Sequence, residues 1–185
     1  RGPRGSSASL TRTMVHDECM VLEITDGHWH VVSETMLEVG FSAYLNAAQT
    51  ITSGAAVKIV CDTEDWDINA NFAAGTHTPT APGIYRYSAA IKLVGDVLGI
   101  AGANSLHFYK NGALYKTVSG FLSAAIDDVI LNGTIEMSMN GTTDYCDLYI
   151  QHAHTVSLLT GTQTSTHFSG SRIRRTAEPR SRRTR

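Results

Sequence analysis

Polar and apolar residues alternate along several short stretches of this chain. From residue 85 to residue 93, the side chains of Tyr85, Tyr87, Ala89, Ile91 and Leu93 fall on one side of an extended strand, opposite Arg86, Ser88 and Lys92. Strict alternation with period 2 is typical of a β-strand with one buried face and one solvent-facing side. The same alternation places Ile135 with Met137 and Met139, and Cys146 with Leu148 and Ile150, and so predicts two further strands.

Turn residues separate these stretches and predict hairpins. Asn111-Gly112 lies between residues 106–110 and 114–118 and is a strong hairpin signal, because both turn positions need positive φ. Thr25-Asp26-Gly27, between residues 19–24 and 28–32, predicts an N-terminal β-hairpin. Further strands are predicted at residues 41–45, 55–61, 155–159 and 166–173. Since no long segment has helical periodicity, the pattern predicts an all-β sandwich or barrel.

Charge changes this picture at one end of the chain. The net charge is −2, but residues 13–171 hold 16 acidic side chains against five basic ones, a net charge of about −11. We therefore expect no nucleic-acid binding by the folded body. Residues 172–185 hold seven arginines against Glu178, or about +6, which predicts a basic tail that is disordered, docked on the acidic body or outside the functional unit, with binding of nucleic acid or another polyanion as the less favoured alternative. No apolar run approaches the roughly 20 residues of a membrane helix, so we expect no membrane insertion.

Six sequence pieces resemble, in their order and spacing, the C1q/tumour-necrosis-factor (C1q/TNF) jelly-roll superfamily, particularly its bacterial and phage members. They are FSAY at 41–44, DTEDWD at 62–67 leading to Asn71-Phe72, TAPGIYRY at 80–87, YKNG at 109–112, DYCDLY at 144–149 and HFSG at 167–170. The resemblance implies a ten-strand jelly-roll sandwich that assembles as a homotrimer. It also implies family-motif core positions at Phe41, Phe72, Gly83, Tyr85, Tyr87, Asn111, Gly112, Tyr145, Phe168 and Gly170. The family usually has Phe in place of Tyr87 and an aromatic in place of Ala89, so we expect different packing at these two positions.

The resemblance also divides the chain. Residues 1–13, with Gly2 and Gly5 three positions apart, are interpreted as a linker or a collagen-like remnant. Residues 14–38 are interpreted as a β-hairpin shaft segment, because GHWHV at 27–31 is similar to the Gly-x-Trp-x-Val pattern of phage tail-fibre shafts. Residues 39–173 form the expected C1q-like domain, and residues 174–185 the tail.

Two kinds of side-chain set have the chemistry of a metal site. His28 and His30 are two residues apart, so on a strand they project to the same side, and a trimer would bring six such nitrogens to its axis for a transition metal. His152 and His154 have the same spacing. Carboxylates suited to calcium cluster at Asp62, Glu64 and Asp65, followed by Asp67, and at Asp127 and Asp128. Exposed strand faces and solvated acidic loops explain the same residues without a metal, so we predict no required cofactor, with calcium or an axial transition metal as the open alternatives.

The sequence lacks the usual signatures of catalysis. It contains no Gly-x-Ser-x-Gly, Walker or dinucleotide-binding motif, and a glycosidase-type carboxylate pair has no support beyond the number of carboxylates. Cys19, Cys61 and Cys146 are far apart and cannot all pair, which predicts buried free thiols. We predict that the chain is not an enzyme.

These observations favour a structural and adhesive function. The first hypothesis is the receptor-binding head of a viral or phage fibre, located on the virion, with other fibre or virion proteins and a host surface protein or glycan as partners. Its predicted contact regions are the loops at residues 62–78, 95–104 and 120–128. The alternative is a secreted C1q-like extracellular recognition module on a collagen-like stalk, and the third hypothesis is a glycan depolymerase.

Overall fold

The structure, a computed structural model, describes residues 18–25, 28–36, 39–52, 54–94, 102–123, 128–152, 156–159 and 161–174, with side chains in 39–52, 54–94, 104–119, 130–152 and 161–174. The chain divides into two compact units, Arg1–Glu38 and Val39–Arg185. Every regular element in the described ranges is a β-strand. None of the described segments is a helix long and apolar enough to span a membrane.

The first unit contains the predicted hairpin. Strand β1 (Glu18–Thr25) pairs antiparallel with β2 (His28–Met36), and the register shifts once, between Val21 and Leu22. The hairpin prediction is therefore confirmed, and β2 extends four residues beyond the predicted end at residue 32.

The second unit is a sandwich of two antiparallel sheets. Its strands are β3 (Gly40–Tyr44), β4 (Gln49–Thr52), β5 (Val57–Lys58), β6 (Thr63–Asp67), β7 (Phe72–Ala73), β8 (Thr76–His77), β9 (Gly83–Val94), β10 (Gly102–Lys110), β11 (Ala113–Ser123), β12 (Asp128–Met139), β13 (Cys146–His152), β14 (Val156–Leu159) and β15 (His167–Arg174). The seven-stranded sheet contains the path β4-β14-β9-β15-β3-β6, with β12 along the other side of β9. The six-stranded sheet contains the path β11-β10-β13-β8-β7, with β5 beside β13.

The core lies between the two sheets and follows the alternation in the sequence. Tyr85, Tyr87, Ala89, Ile91 and Leu93 of β9 are all buried. Buried side chains also come from the predicted alternating positions of β12 and β13, namely Ile135, Met137, Met139, Cys146, Leu148 and Ile150. The all-β prediction and these strand faces are confirmed. The sandwich expected to have ten strands is divided here into thirteen segments, three of them only two residues long.

Three predicted boundaries need correction. Of the strand expected at residues 55–61, only Val57–Lys58 pairs. Residues 62–78, expected to be a contact loop, contain β6, β7 and β8, because backbone pairing with β3 keeps the acidic segment extended. Arg174, assigned to the basic tail, lies within β15 and pairs with β9, as does Arg172 of the strand predicted at residues 166–173. Residues 175–185 lie outside the described residues.

Candidate functional site

The family-motif residues gather at two places in the fold. Phe41 stacks on Phe72 with 4.4 Å between ring centroids and packs edge-on against Phe168 at 4.9 Å. Tyr85 and Tyr87 are stacked at 6.1 Å in the same buried cluster. These rings fill the space between the two sheets, so their contribution is to packing rather than to a ligand site.

The histidine at the centre of this cluster was not singled out in the sequence. His77 is fully buried, stacks on Phe41 at 4.6 Å, and has Nδ1 2.9 Å from the Tyr87 hydroxyl. Its Nε2 atom has no hydrogen-bond partner among the described residues. Burial lowers the pKa of His77 to about 3, so the imidazole is neutral. The hydroxyl of Tyr87 therefore has a buried partner in His77, at a position where the resembled family usually has Phe.

Asn111 and Gly112 lie at a turn between β10 and β11 next to Tyr145, whereas Gly83 begins β9 and Gly170 lies in β15. Asn111 and Gly112 have φ values of +53° and +76°, which confirms the predicted turn. Asn111 donates its side-chain amide to Asp144 Oδ1 at 2.8 Å, and Lys110 Nζ lies 2.9 Å from Asp144 Oδ2. Burial raises the pKa of Asp144, but these bonds and that from the Asn140 backbone N–H outweigh burial and lower it overall. Tyr145 donates its backbone N–H to the Asn111 side chain, so the arrangement fixes the turn.

The candidate metal ligands are separated or already hydrogen-bonded in the described part of the chain. Asp62 accepts the Asn46 backbone N–H at 2.7 Å, and Asp65 accepts the Ser42 hydroxyl at 3.0 Å. Glu64 is exposed on β6. No three His, Cys, Asp or Glu side chains in the ranges with described side chains are grouped as a metal site would require.

Most of the remaining candidate ligands lie outside the described residues or side chains. The side chains of His28, His30 and Asp128 are outside it, and so are Asp127 and His154 altogether. His152 is buried, with Nε2 3.1 Å from the Ile51 carbonyl. Calcium and a transition metal therefore stay predictions.

The described thiols are unsuited to reaction. Cys61 and Cys146 are free and buried. Burial, reinforced by the charge of Asp62, raises the pKa of Cys61 to about 12, and burial next to Asp147 raises the pKa of Cys146. Both remain protonated near neutral pH, so neither supplies a thiolate nucleophile or metal ligand.

The outward side of the seven-stranded sheet has a row of small polar residues, which we call the serine row. Strand register aligns Thr134, Ser88, Ser169 and Ser42 across four strands, and Trp66 of β6 follows Ser42. The Ser88 and Thr134 hydroxyls are 2.8 Å apart. Because each strand contributes one residue, the row cannot be recognised in the sequence before the strand register is known.

A shallow cavity of about 130 Å³ lies at the Trp66 end of the serine row. Its walls include Trp66, Arg86, Ser88, Ser169 and Ser171. Its floor is formed by Phe41 and Gly170, where an added Cβ would lie only 2.6 Å from a Tyr87 ring carbon and 2.8 Å from a Phe41 ring carbon. Trp66 is 45% exposed, which is unusual for a large apolar side chain and marks this cavity as a candidate contact site.

The outward side of the six-stranded sheet has a different character. Tyr109 and Tyr149 stack at 4.1 Å, and the two nitrogens of His107 lie 2.8 and 2.9 Å from the Ser105 and Thr117 hydroxyls. Burial lowers the pKa of His107. The two tyrosine rings pack against each other, so the pair stabilises the contact between neighbouring strands.

A third surface is the side of the sandwich where β11 and β12 lie, which we call the β11–β12 side. In the described part of the chain, β11 pairs only with β10 and β12 only with β9, so both are edge strands. Leu114, Tyr115 and Ile130 are exposed there by 53%, 40% and 65%. Apolar side chains along unpaired edges are typical of a surface that another chain covers.

Comparisons with known proteins agree with this architecture. Murine APRIL at pH 8.0 is 12% identical with a TM-score of 0.51, and the match covers 74% of this chain and 100% of that one. The Eiger TNF of S. frugiperda is 9% identical with a TM-score of 0.51, covering 77% and 96%. The fold is a TNF/C1q-like jelly roll. The globular domain of zebrafish complement 1qA is also similar, at 14% identity and a TM-score of 0.46, covering 76% and 100%. No family model and no curated protein sequence matches the chain.

At such low identity, the likeness to APRIL and Eiger shows the fold and not a function. What the chain can do must therefore be argued from the serine row, the cavity at Trp66 and the β11–β12 side.

Proposed function

We propose that this chain is a trimeric recognition protein. The observation that carries the trimer is the exposure of Leu114, Tyr115 and Ile130 along the β11–β12 side. Subunit contacts in homo-oligomers are more apolar than ordinary surface, and cyclic assemblies bury such surfaces between copies. The jelly-roll fold, with its TNF and C1q neighbours, supports the same assembly.

We further propose the receptor-binding head of a viral or phage fibre as the setting. Its support is the separate hairpin unit before the jelly roll, the likeness of residues 27–31 to fibre-shaft sequences, and the acidic body. A location on the virion and a host surface protein or glycan as partner follow from this setting. Of the predicted contact loops, 95–101 and 124–127 lie outside the described residues, so the contact region stays a prediction.

The secreted recognition module is the alternative setting, and it shares the trimer and the extracellular location. Gly-x-Y triplets joined to residue 1 in the full protein would favour it, whereas a β-rich shaft would favour the fibre. We expect no catalysis in either setting. Shortening of a host surface polysaccharide on incubation with the protein would instead support the depolymerase.

Native mass spectrometry tests the assembly and the metal together. We expect a species of about 60 kDa, three times the 20.0 kDa chain. A mass lost on chelation would support the predicted calcium or transition-metal site, and an unchanged mass would count against both. A stable monomer would refute the trimer.

Charge substitutions locate the subunit contact. We expect Ile130→Glu and Leu114→Glu to dissociate the trimer, because each buries an unpaired carboxylate in the contact. Ala73 is exposed on β7, so Ala73→Glu adds the same charge elsewhere and should leave the trimer intact. Trimers that survive both β11–β12 substitutions would place the contact on another surface.

A further inference from the structure

The register of the N-terminal hairpin brings three residues with metal-binding chemistry to one face. Strands β1 and β2 pair so that Glu23 lies directly across from His30, and His28 lies two positions before His30 on the same strand. Directly paired residues of an antiparallel sheet share a face, and so do residues two apart on one strand. The strand register therefore adds Glu23 to the two histidines whose spacing was recognised in the sequence.

The distances between these three positions suit a single ion. Directly paired residues such as Glu23 and His30 have Cβ atoms about 5 Å apart, and diagonal neighbours such as Glu23 and His28 are about 7–8 Å apart. Two residues two apart on one strand are separated by about 6.7 Å. Imidazole and carboxylate groups extend far enough from the backbone for donors at such positions to share one ion, about 2 Å from each donor atom.

The opposite face of the hairpin is apolar. Ile24 pairs with Trp29, and Leu22 pairs with Val31, and these pairs alternate with those that contain Glu23 and the two histidines. Strand alternation thus segregates the donor residues from the apolar ones. The hairpin has one polar face on which a hydrated ion can bind.

The donor set decides which ion is favoured. Two imidazoles and one carboxylate are ligands for divalent transition metals such as Zn²⁺, whereas calcium prefers a shell of oxygen atoms. Zinc sites with two His and one Glu leave a fourth position for water. Three protein ligands are therefore sufficient, and no donor from a second copy is needed.

We propose that each chain binds one divalent transition-metal ion at Glu23, His28 and His30. This stoichiometry distinguishes the site from six histidine nitrogens on a trimer axis, which would hold one ion per trimer. The site goes beyond the recognition function proposed above, and it needs neither the trimer nor the fibre setting.

The ion supplies stability to a small element. In the described part of the chain, β1 and β2 pair only with each other, and they belong to a compact unit separate from the jelly roll. A two-stranded hairpin by itself is marginally stable in water. An ion held by Glu23 of β1 and by the histidines of β2 links the two strands, and an ion that binds only the paired form stabilises that form.

Zinc titration of the full chain tests the site. The protein is stripped with EDTA, dialysed and titrated with Zn²⁺ by calorimetry, and hydrogen exchange in β1 and β2 is followed by mass spectrometry with and without the ion. We expect one Zn²⁺ per chain and slower exchange in both strands when it is bound. Glu23→Gln should weaken binding by at least about tenfold and remove the protection, because even groups behind the direct ligands are worth about 10- to 100-fold in metal affinity.

Glu34→Gln is the matched control. Glu34 pairs with Met20, which lies an even number of positions from Leu22 and Ile24 and so belongs to the apolar face. The substitution removes the same charge from the same hairpin and should leave Zn²⁺ binding intact. Without zinc, the hairpin should exchange at the same rate in both variants and in the unaltered chain, which separates loss of a ligand from loss of the fold.

Three results would overturn the proposal. The first is unchanged zinc affinity in Glu23→Gln, which together with one ion per trimer would indicate binding by the histidines alone. The second is an equal loss of affinity in Glu23→Gln and Glu34→Gln, and the third is the absence of saturable Zn²⁺ binding. Native mass spectrometry reports the assembly separately: a zinc-free trimer sinks only the metal site, and a zinc-bound monomer sinks only the trimer.

Discussion

Acidification should destabilise this protein well before its carboxylates titrate, because of His77. The imidazole is fully buried among aromatic rings with a pKa of about 3, whereas an unfolded chain binds a proton at its ordinary value of about 6.5. Between these two values the unfolded state binds more protons, so the free energy of unfolding falls as the pH falls. The loss is at most about 1.4 kcal/mol per pH unit, or about 3 kcal/mol between pH 7 and pH 4.

Other groups act in separable windows or in the same direction. The pKa of His107 is also lowered by burial, so it adds to the loss below about pH 6.5. The pKa of Asp144 lies below its ordinary value, so its contribution is kept until the pH falls below about 4. The region from neutral pH to about pH 4 therefore reports on the histidines.

Urea unfolding at fixed protein concentration, followed by circular dichroism at several pH values, measures the effect. His77→Gln keeps a neutral hydrogen-bonding side chain near Tyr87 but removes the titration, so its unfolding free energy should depend less steeply on pH. The comparison uses the slope with pH and not the absolute stability, which the substitution also changes. An equal slope in both proteins would refute the reasoning.

Three further predictions concern packing and charge. Gly170→Ala should cost about 1–3 kcal/mol of unfolding free energy, measured by urea titration, because its methyl group would overlap the Tyr87 ring. Gly112→Ala should cost about 1 kcal/mol in the same assay, because φ is +76° there, and no loss would contradict the turn geometry. Lys58→Met should cost about 1–3 kcal/mol, because Asp147, whose side chain is only 6% exposed, keeps its hydrogen bond from Thr76 but loses its ionic partner at 2.8 Å. Arg86→Met removes an exposed ion pair and should cost less than about 1 kcal/mol. Equal costs for Lys58→Met and Arg86→Met in urea titrations would contradict the role assigned to burial.

The strands that could be predicted are those whose pattern is local. The alternation in β9 needs only its own residues, and Asn111-Gly112 specifies its turn by backbone conformation alone. Strand β6 was interpreted as an acidic loop, because Thr63–Asp67 has no apolar alternation. It is extended because its backbone pairs with β3 at the edge of a sheet, where charged side chains remain in water.

His77 shows why the buried polar centre could not be predicted. It follows Thr76 in a two-residue strand, and nothing in its neighbourhood distinguishes it from the other seven histidines. Its burial depends on β8 pairing with Cys146 and Asp147 of β13, some seventy residues away. A contact between distant segments leaves no periodic signal in either segment.

The two sides of the seven-stranded sheet limit where assembly and recognition can occur. Successive residues of β3 and β15 face opposite ways, so Phe41 and Phe168 enter the core while Ser42 and Ser169 face outward. A surface of small hydroxyl side chains buries little apolar area, but Trp66 and Ile130 add exposed apolar side chains on the same side of the sheet. The β11–β12 side adjoins this surface directly, because β12 pairs with β9, whose Arg86 and Ser88 line the cavity at Trp66. A threefold contact joins two different surfaces of neighbouring copies, so the β11–β12 side of one copy must pack against another surface of the next copy. The Ile130→Glu variant should therefore lose the trimer, because its carboxylate would be buried without a partner in that contact, whereas Ala73→Glu should keep it.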